Sequence, residues 1–252
     1  MVQLQPSQSR QKSLPTMYDL PSEDPEEPGL VDEFHDVQPN LLKNTCQSPN
    51  YSQKDYFIAK DLNLYYDSEH PLWYKRPDWF LALGAQRSTN QQELRLSYVM
   101  WHEVVAPFLV VELLSPGTED EDLGLTDRKH RKRPTKWEVY EEILQVPYYV
   151  IYDRYDNKFR AFVLQSGKYE ELELSQGTLW LEELGLGLGL WEGSYEEVKG
   201  KWLRFYDAMG NWIPTPEEKV EQERQRADNA EVTIQQLRDR LLQLGVDPNS
   251  LP

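Results

Sequence analysis

Three residues carry the types and spacing that chemistry needs: Asp78, Glu112 and Lys136. Asp78 follows Pro77 at the mouth of the apolar run Trp79-Phe80-Leu81-Ala82-Leu83, and Glu112 sits inside the apolar stretch "PFLVVELLSP" at 107–116. A buried, unpaired carboxylate costs several kcal/mol, roughly, so such groups are normally paired, liganded or hydrogen-bonded. Two carboxylates at the ends of adjacent strands can converge on a hard divalent cation, which prefers oxygen ligands. The backbone carbonyl of Leu113 is placed to add a third oxygen. Lys136 opens a helix, where a cation opposes the macrodipole, and a residue set against its local preference points to a tertiary role. Beside a metal-bound water, a lysine can orient or deprotonate it and steady charge developing on a phosphate. Asp122, in "TEDED", is a candidate supporting acid.

Each residue also has a plain structural reading. Asp78 reads as a strand-end hydrogen-bonding residue, Lys136 as a solvated helix residue and Asp122 as part of a solvated loop. Glu112 resists that treatment, because charged residues are seldom buried without a partner. Other motifs fail on spacing. "GLGLGL" (185–190) lacks the third glycine of a dinucleotide fingerprint. "DEDLG" (120–124) puts glycine at the wrong place for a calcium loop. Four histidines and one cysteine have no zinc spacing, and Ser115 has neither a glycine elbow nor an evident base.

The elements that must hold these residues follow from periodicity. "DYFIAKDLNLYYD", "DWFLALG" and "LRLSYVMWHE" (94–103) read as strands, and "PFLVVELLSP" as a central strand covered on both faces. "PTKWEVYEEILQV" reads as a helix with a Thr135/Glu138 capping box and an apolar stripe of Trp137, Tyr140, Ile143 and Leu144. "PYYVIYDRY" returns to strand, and "FRAFVLQSGKYEELEL" is a hairpin turning at Ser166-Gly167. Strands framing a helix imply an α/β or α+β sheet domain. Residues 1–50, rich in Pro, Ser, Gln and acids, read as a disordered or loosely draped acidic arm. In the tail, Val220, Ala227, Ile234 and Leu241 recur every seven residues, with Ala230, Leu237 and Leu244 on the other seam position. That a/d pattern, ended by Gly245 and Pro248, fits a helix folded back on its own domain or a short coiled coil joining two copies; so polar a helix gains little alone, which favours association.

At 252 residues the chain suffices for one domain of roughly 150–200 residues plus appendages. One cysteine, Cys46, and no apolar N-terminal or 18-residue stretch fit a cytoplasmic protein without a membrane partner. The net charge of −16 argues against nucleic acid until its distribution is seen: residues 51–167 hold 15 basic against 18 acidic residues, and "RKHRKRPTK" (128–136) packs six Lys/Arg into nine positions. Arg128, Lys129, Arg131, Lys132 and Arg133 are therefore candidates to track a nucleic-acid backbone, the alternative being a solvated loop.

The segments "WYKRPDWFLALG" and "PFLVVELLSPGTEDEDLG", with "KWEVYEEILQVPYYVIYD", resemble the cyanobacterial-type Uma family of endonucleases, within the restriction-endonuclease-like PD-(D/E)XK superfamily. The resemblance covers roughly residues 55–215 and extends to the coiled-coil tail. It implies an α/β fold: a restriction-endonuclease-like core over 51–214, its mixed central sheet flanked by helices, with a C-terminal coiled-coil helix over 215–252. It further implies Mg²⁺-dependent (or Mn²⁺-dependent) hydrolysis of DNA. Asp78 matches the Asp of "PD", and Glu112 the second motif; both would hold the metal with the Leu113 carbonyl. The third position, normally Lys, is Leu114, a departure from the pattern. Lys136 matches the family's "K-x-x-x-Y" with Tyr140, as though the lysine had moved to the following helix, giving Tyr140 a supporting role beside Asp122. The rival reading is an interaction module that keeps the fold, has lost the chemistry and self-associates through its tail.

Overall fold

The structure, a computed structural model, describes residues 32–115, 119–125 and 133–244. In chain order its elements are α1 (Phe34–Thr45), β1 (Tyr56–Lys60), β2 (Leu64–Tyr65), β3 (Tyr74–Lys75), β4 (Trp79–Leu83), β5 (Tyr98–Val99), α2 (Met100–Glu103), β6 (Leu109–Leu113), α3 (Glu119–Asp122) and α4 (Lys136–Glu138). They continue as β7 (Tyr148–Asp153), β8 (Lys158–Gln165), β9 (Lys168–Glu171), β10 (Thr178–Leu181), β11 (Leu186–Tyr195), β12 (Val198–Tyr206) and α5 (Pro216–Gln243). The chain is thus a mixed α/β protein.

Two compact units form. The first comprises described residues from 32–37 and 57–173, and the second 38–56 and 174–244. β10, β11 and β12 lie in the second unit.

The first unit is built on a six-stranded sheet in the order β1-β4-β6-β7-β8-β9. β6 is buried along its whole length, as its run, apolar except at Glu112, requires. It pairs antiparallel with β4 and parallel with β7. A parallel pair cannot be joined by a tight turn and needs a long crossover. Here the crossover carries α3 and α4. Aromatic residues fill the core beneath it, with Phe80, Tyr140, Tyr149 and Phe162 all buried. The β8–β9 hairpin turns where expected, with Ser166 and Gly167 both at positive φ (52° and 80°), the combination of a type I′ turn.

Three local readings are corrected. Within the arm expected over 1–50, residues 34–45 form α1; Phe34, Val37, Leu41 and Leu42 share one helical face, a stripe that Pro39 and the flanking acids obscure. The segment 94–103 is a two-residue strand followed by a helical turn instead of one long strand. After Glu138 the helix opens into a π turn, Val139–Ile143, closed by Leu144 N–H to the Val139 carbonyl at 2.8 Å. The wider turn shifts the phase of the stripe, so Ile143 faces solvent while Glu141 is buried, accepting from Tyr169 N–H at 2.7 Å and Lys168 at 2.8 Å.

In the second unit, β10, β11 and β12 form an antiparallel meander. "GLGLGL" is its central strand. Leu186 and Leu188 are buried on one face, and the intervening glycines leave room on the other. A Cβ at Gly187 would lie 1.9 Å from Tyr206 Cζ, so no larger residue fits beneath that ring. No helix among the described residues is long and apolar enough to cross a membrane.

Candidate functional site

Antiparallel register makes the site. Trp79 pairs with Val111, so one further step sets Asp78 across from Glu112 on the same face. The two residues lock each other. Asp78 N–H donates to Glu112 Oε2 at 3.2 Å, and Leu113 N–H donates to Asp78 Oδ2 at 2.6 Å. The crossover then returns Asp122 and Lys136 to this strand end. Lys136 Nζ lies 3.2 Å from Glu112 Oε2 and 2.8 Å from Asp122 Oδ1.

Local sequence explains each placement. The capping box fixes the start of α4: Glu138 N–H donates to Thr135 Oγ1 at 3.2 Å, and Thr135 N–H to Glu138 Oε2 at 2.9 Å. Lys136 therefore leaves an ordered first turn. Tyr140, one turn later, donates its hydroxyl to Glu112 Oε1 at 2.8 Å. α3 is held by Lys75 Nζ to Glu121 Oε1 at 2.6 Å and by Tyr149 Oη donating to the Asp122 carbonyl at 2.9 Å. Gly124 ends α3 at φ +70°, where a Cβ would sit 2.9 Å from the Trp137 indole.

Of the residues expected from sequence, Asp78, Glu112, Leu113, Asp122, Lys136 and Tyr140 come together. Arg133 is exposed; Arg128, Lys129, Arg131 and Lys132 lie outside the described residues.

His35 was not expected. Its Nδ1 lies 2.9 Å from Asp32 Oδ1 and its Nε2 3.0 Å from the Leu113 carbonyl. Both partners are acceptors, so both ring nitrogens donate and the ring is an imidazolium. Burial pushes its pKa down, but the Asp32 hydrogen bond and the Asp78 and Asp32 charges outweigh it and hold it above the ordinary value. The charged ring stands 3.9 Å from Asp78 Oδ2. The Asp-x-x-His spacing ahead of the Val37/Leu41 stripe is the signal that could have revealed it.

Among the described residues, the Lys136 ammonium stands beside Glu112 and Asp122 and the His35 imidazolium beside Asp78, with Glu112 fully buried and Asp122 nearly so. Burial drives Glu112 well above the usual carboxylate range; Lys136 opposes this, while Asp78 and Asp122 add to it. Asp78 is raised for the same first reason, against the pull of Lys136 and His35. Lys136 is held well above its ordinary value, the carboxylates overcoming the cost of its burial. It stays charged and cannot serve as a proton acceptor near neutral pH.

An all-oxygen donor set rich in carboxylates fits a hard divalent cation. Among the described residues no group of three or more His, Cys, Asp or Glu side chains forms a metal cage. Two carboxylates, a carbonyl and water are the kind of set Mg²⁺ accepts, since it dehydrates reluctantly. Asp78 Oδ1 takes none of the hydrogen bonds made among the described residues and is the oxygen nearest to available for it.

Fold and site together define an α/β protein with a carboxylate–lysine cluster at a strand end. The profile of the Uma2 family, described as "Putative restriction endonuclease", matches residues 15–196, and the chain belongs to that family. A solved structure similar to it is a "putative nuclease belonging to DUF820" from Anabaena variabilis, at 12% identity and a TM-score of 0.38, covering 62% of this chain and 76% of that one. No curated protein matches.

Proposed function

We propose that this chain is a metal-dependent endonuclease that hydrolyses DNA phosphodiester bonds. The observation that carries the reading is the convergence of Asp78, Glu112, Asp122 and Lys136 at the end of a central strand, with Glu112 and Asp122 buried. Buried carboxylates so gathered can take up a cation, and family membership favours that reading. Asp78, Glu112 and the Leu113 carbonyl would hold Mg²⁺ or Mn²⁺. When bound, that ion supplies an acidified water and polarises the scissile phosphate.

The chain's own groups do the rest. Tyr140 fixes one Glu112 oxygen, so the other is aimed at Lys136 and the Asp78 amide. Lys136, permanently charged, orients the attacking water and stabilises charge on the phosphate oxygens. Asp122 holds the ammonium in place, and His35 steadies the Asp78 side of the site. The basic residues 128–133 would track the DNA backbone.

The test is Mg²⁺ and Mn²⁺ titration against plasmid, linear and single-stranded DNA, with Glu112→Ala as the blank. Metal-dependent cleavage that vanishes in the variant is expected. No cleavage of any DNA, or equal cleavage by the variant, would instead leave an interaction module with a nuclease fold.

A further inference from the structure

Among the described residues, α5 is fastened only at its base. Thr215 and Glu218 form a second capping box, and the Arg204 guanidinium donates to Glu218 Oε1 at 3.1 Å. The whole helix is 28 residues long with none of them buried. At ~1.5 Å per residue the stretch past Lys219 is about 36 Å of helix. Ile234, Leu237 and Leu244 are each more than half exposed along it.

We propose that α5 pairs with α5 of a second copy of this chain as a parallel, in-register, two-stranded coiled coil over residues 227–244. The seam positions choose the partner. Ala227, Ile234 and Leu241 fall at a, and Ala230, Leu237 and Leu244 at d. A β-branched residue at a central a position with Leu at d favours two parallel strands. The small alanines let the backbones close at the start of the seam.

Flanking charges fit the parallel direction. In a parallel pair Arg226, at g, faces the partner's Glu231, at e, on both sides of the seam. An antiparallel pair over the same seam, with Ala227 against the partner's Leu244, sets Ile234 against the partner's Leu237 and Glu231 beside the partner's Arg238, so the direction rests on the β-branched a position with Leu at d. The first heptad does not join the parallel seam. There Glu223 occupies d, and Lys219 faces the partner's Arg224.

Two measurements test this on the full chain. Sedimentation across a micromolar range should give twice the chain mass, falling to one on dilution. Leu237→Asp should give one chain mass throughout, whereas Val232→Asp, at an exposed position outside the seam, should still dimerise. Oxidation of Leu237→Cys should capture a covalent dimer, and Val232→Cys should not. A wild-type chain that is monomeric throughout, or a dimer indifferent to Leu237→Asp, overturns the pairing. A dimer that Leu237→Cys cannot capture overturns its direction.

Discussion

Two of the places where the protein buries ions are built on different principles. At the base of α5, Arg204 is 2% exposed and fully satisfied. It donates to the Ile213 carbonyl at 2.8 Å and to Glu218 at 3.1 Å, and its guanidinium lies 4.3 Å above the Trp191 ring. One cation meets one carboxylate, a carbonyl and an aromatic face. At the strand end, Lys136 lies between Glu112 and Asp122, and Asp78 faces His35. The first arrangement pairs one cation with one carboxylate. The second gathers several carboxylates, and burial holds Glu112 and Asp78 above the usual carboxylate range.

The largest expected effect lies at the strand-end site. Lys136→Met should fold and keep or tighten its Mg²⁺ affinity, since a competing cation is gone. Its DNA cleavage should fall by ~10²–10⁴-fold, the usual worth of one well-placed proton-transfer or charge-stabilising group. Isothermal titration with Mg²⁺ beside a cleavage assay separates binding from turnover. Unchanged cleavage would reduce Lys136 to a structural counterion.

Charge removal should have opposite consequences for stability at the two sites. Arg204→Met strands Glu218 and should cost about 3 kcal/mol, the lower end for a broken buried pair because Glu218 is partly solvated. Glu112→Gln removes a buried charge and should stabilise the protein by ~1 kcal/mol or more, one pKa unit being worth about 1.4 kcal/mol. Urea denaturation measures both.

pH sharpens the contrast through its sign. Burial tends to raise Glu218, but the Arg204 and Thr215 hydrogen bonds prevail and lower it, so its contribution is present at neutral pH and lost on acidification. Glu112 is raised, so its contribution is greatest in acid and declines as pH rises through its elevated pKa. The gain from Glu112→Gln should therefore grow with pH, and the loss from Glu218→Gln should shrink as pH falls. Parallel trends would dissolve the distinction between the sites.

The smallest effect belongs to Tyr140→Phe. The phenol hydrogen bond holds Glu112 down, so its loss should move the acid limb of the cleavage profile to higher pH. A hydrogen bond to a charged group is worth about 1.5–3 kcal/mol, so the displacement should be of the order of one unit. A lower rate with an unmoved limb would make Tyr140 a packing residue alone.

Sequence by itself determined what local chemistry writes into consecutive residues. The run at 109–113, apolar but for Glu112, required a central strand, Ser166-Gly167 required a tight turn, and Thr135-x-x-Glu138 required the start of α4. Asp78 and Glu112 were legible because a carboxylate at the edge of an apolar run conflicts with its neighbours. Only the tertiary structure decided the rest. His35 joins the site by reaching the Leu113 carbonyl, 78 positions away. Asp122 turned from a loop acid into a buried partner because the parallel β6–β7 pair demands a crossover that returns over the strand end. Ile143 and Glu141 exchanged inside for outside at a π turn that no sequence period announces. Periodicity records how each segment meets water, whereas which distant groups share a charge depends on register and crossover.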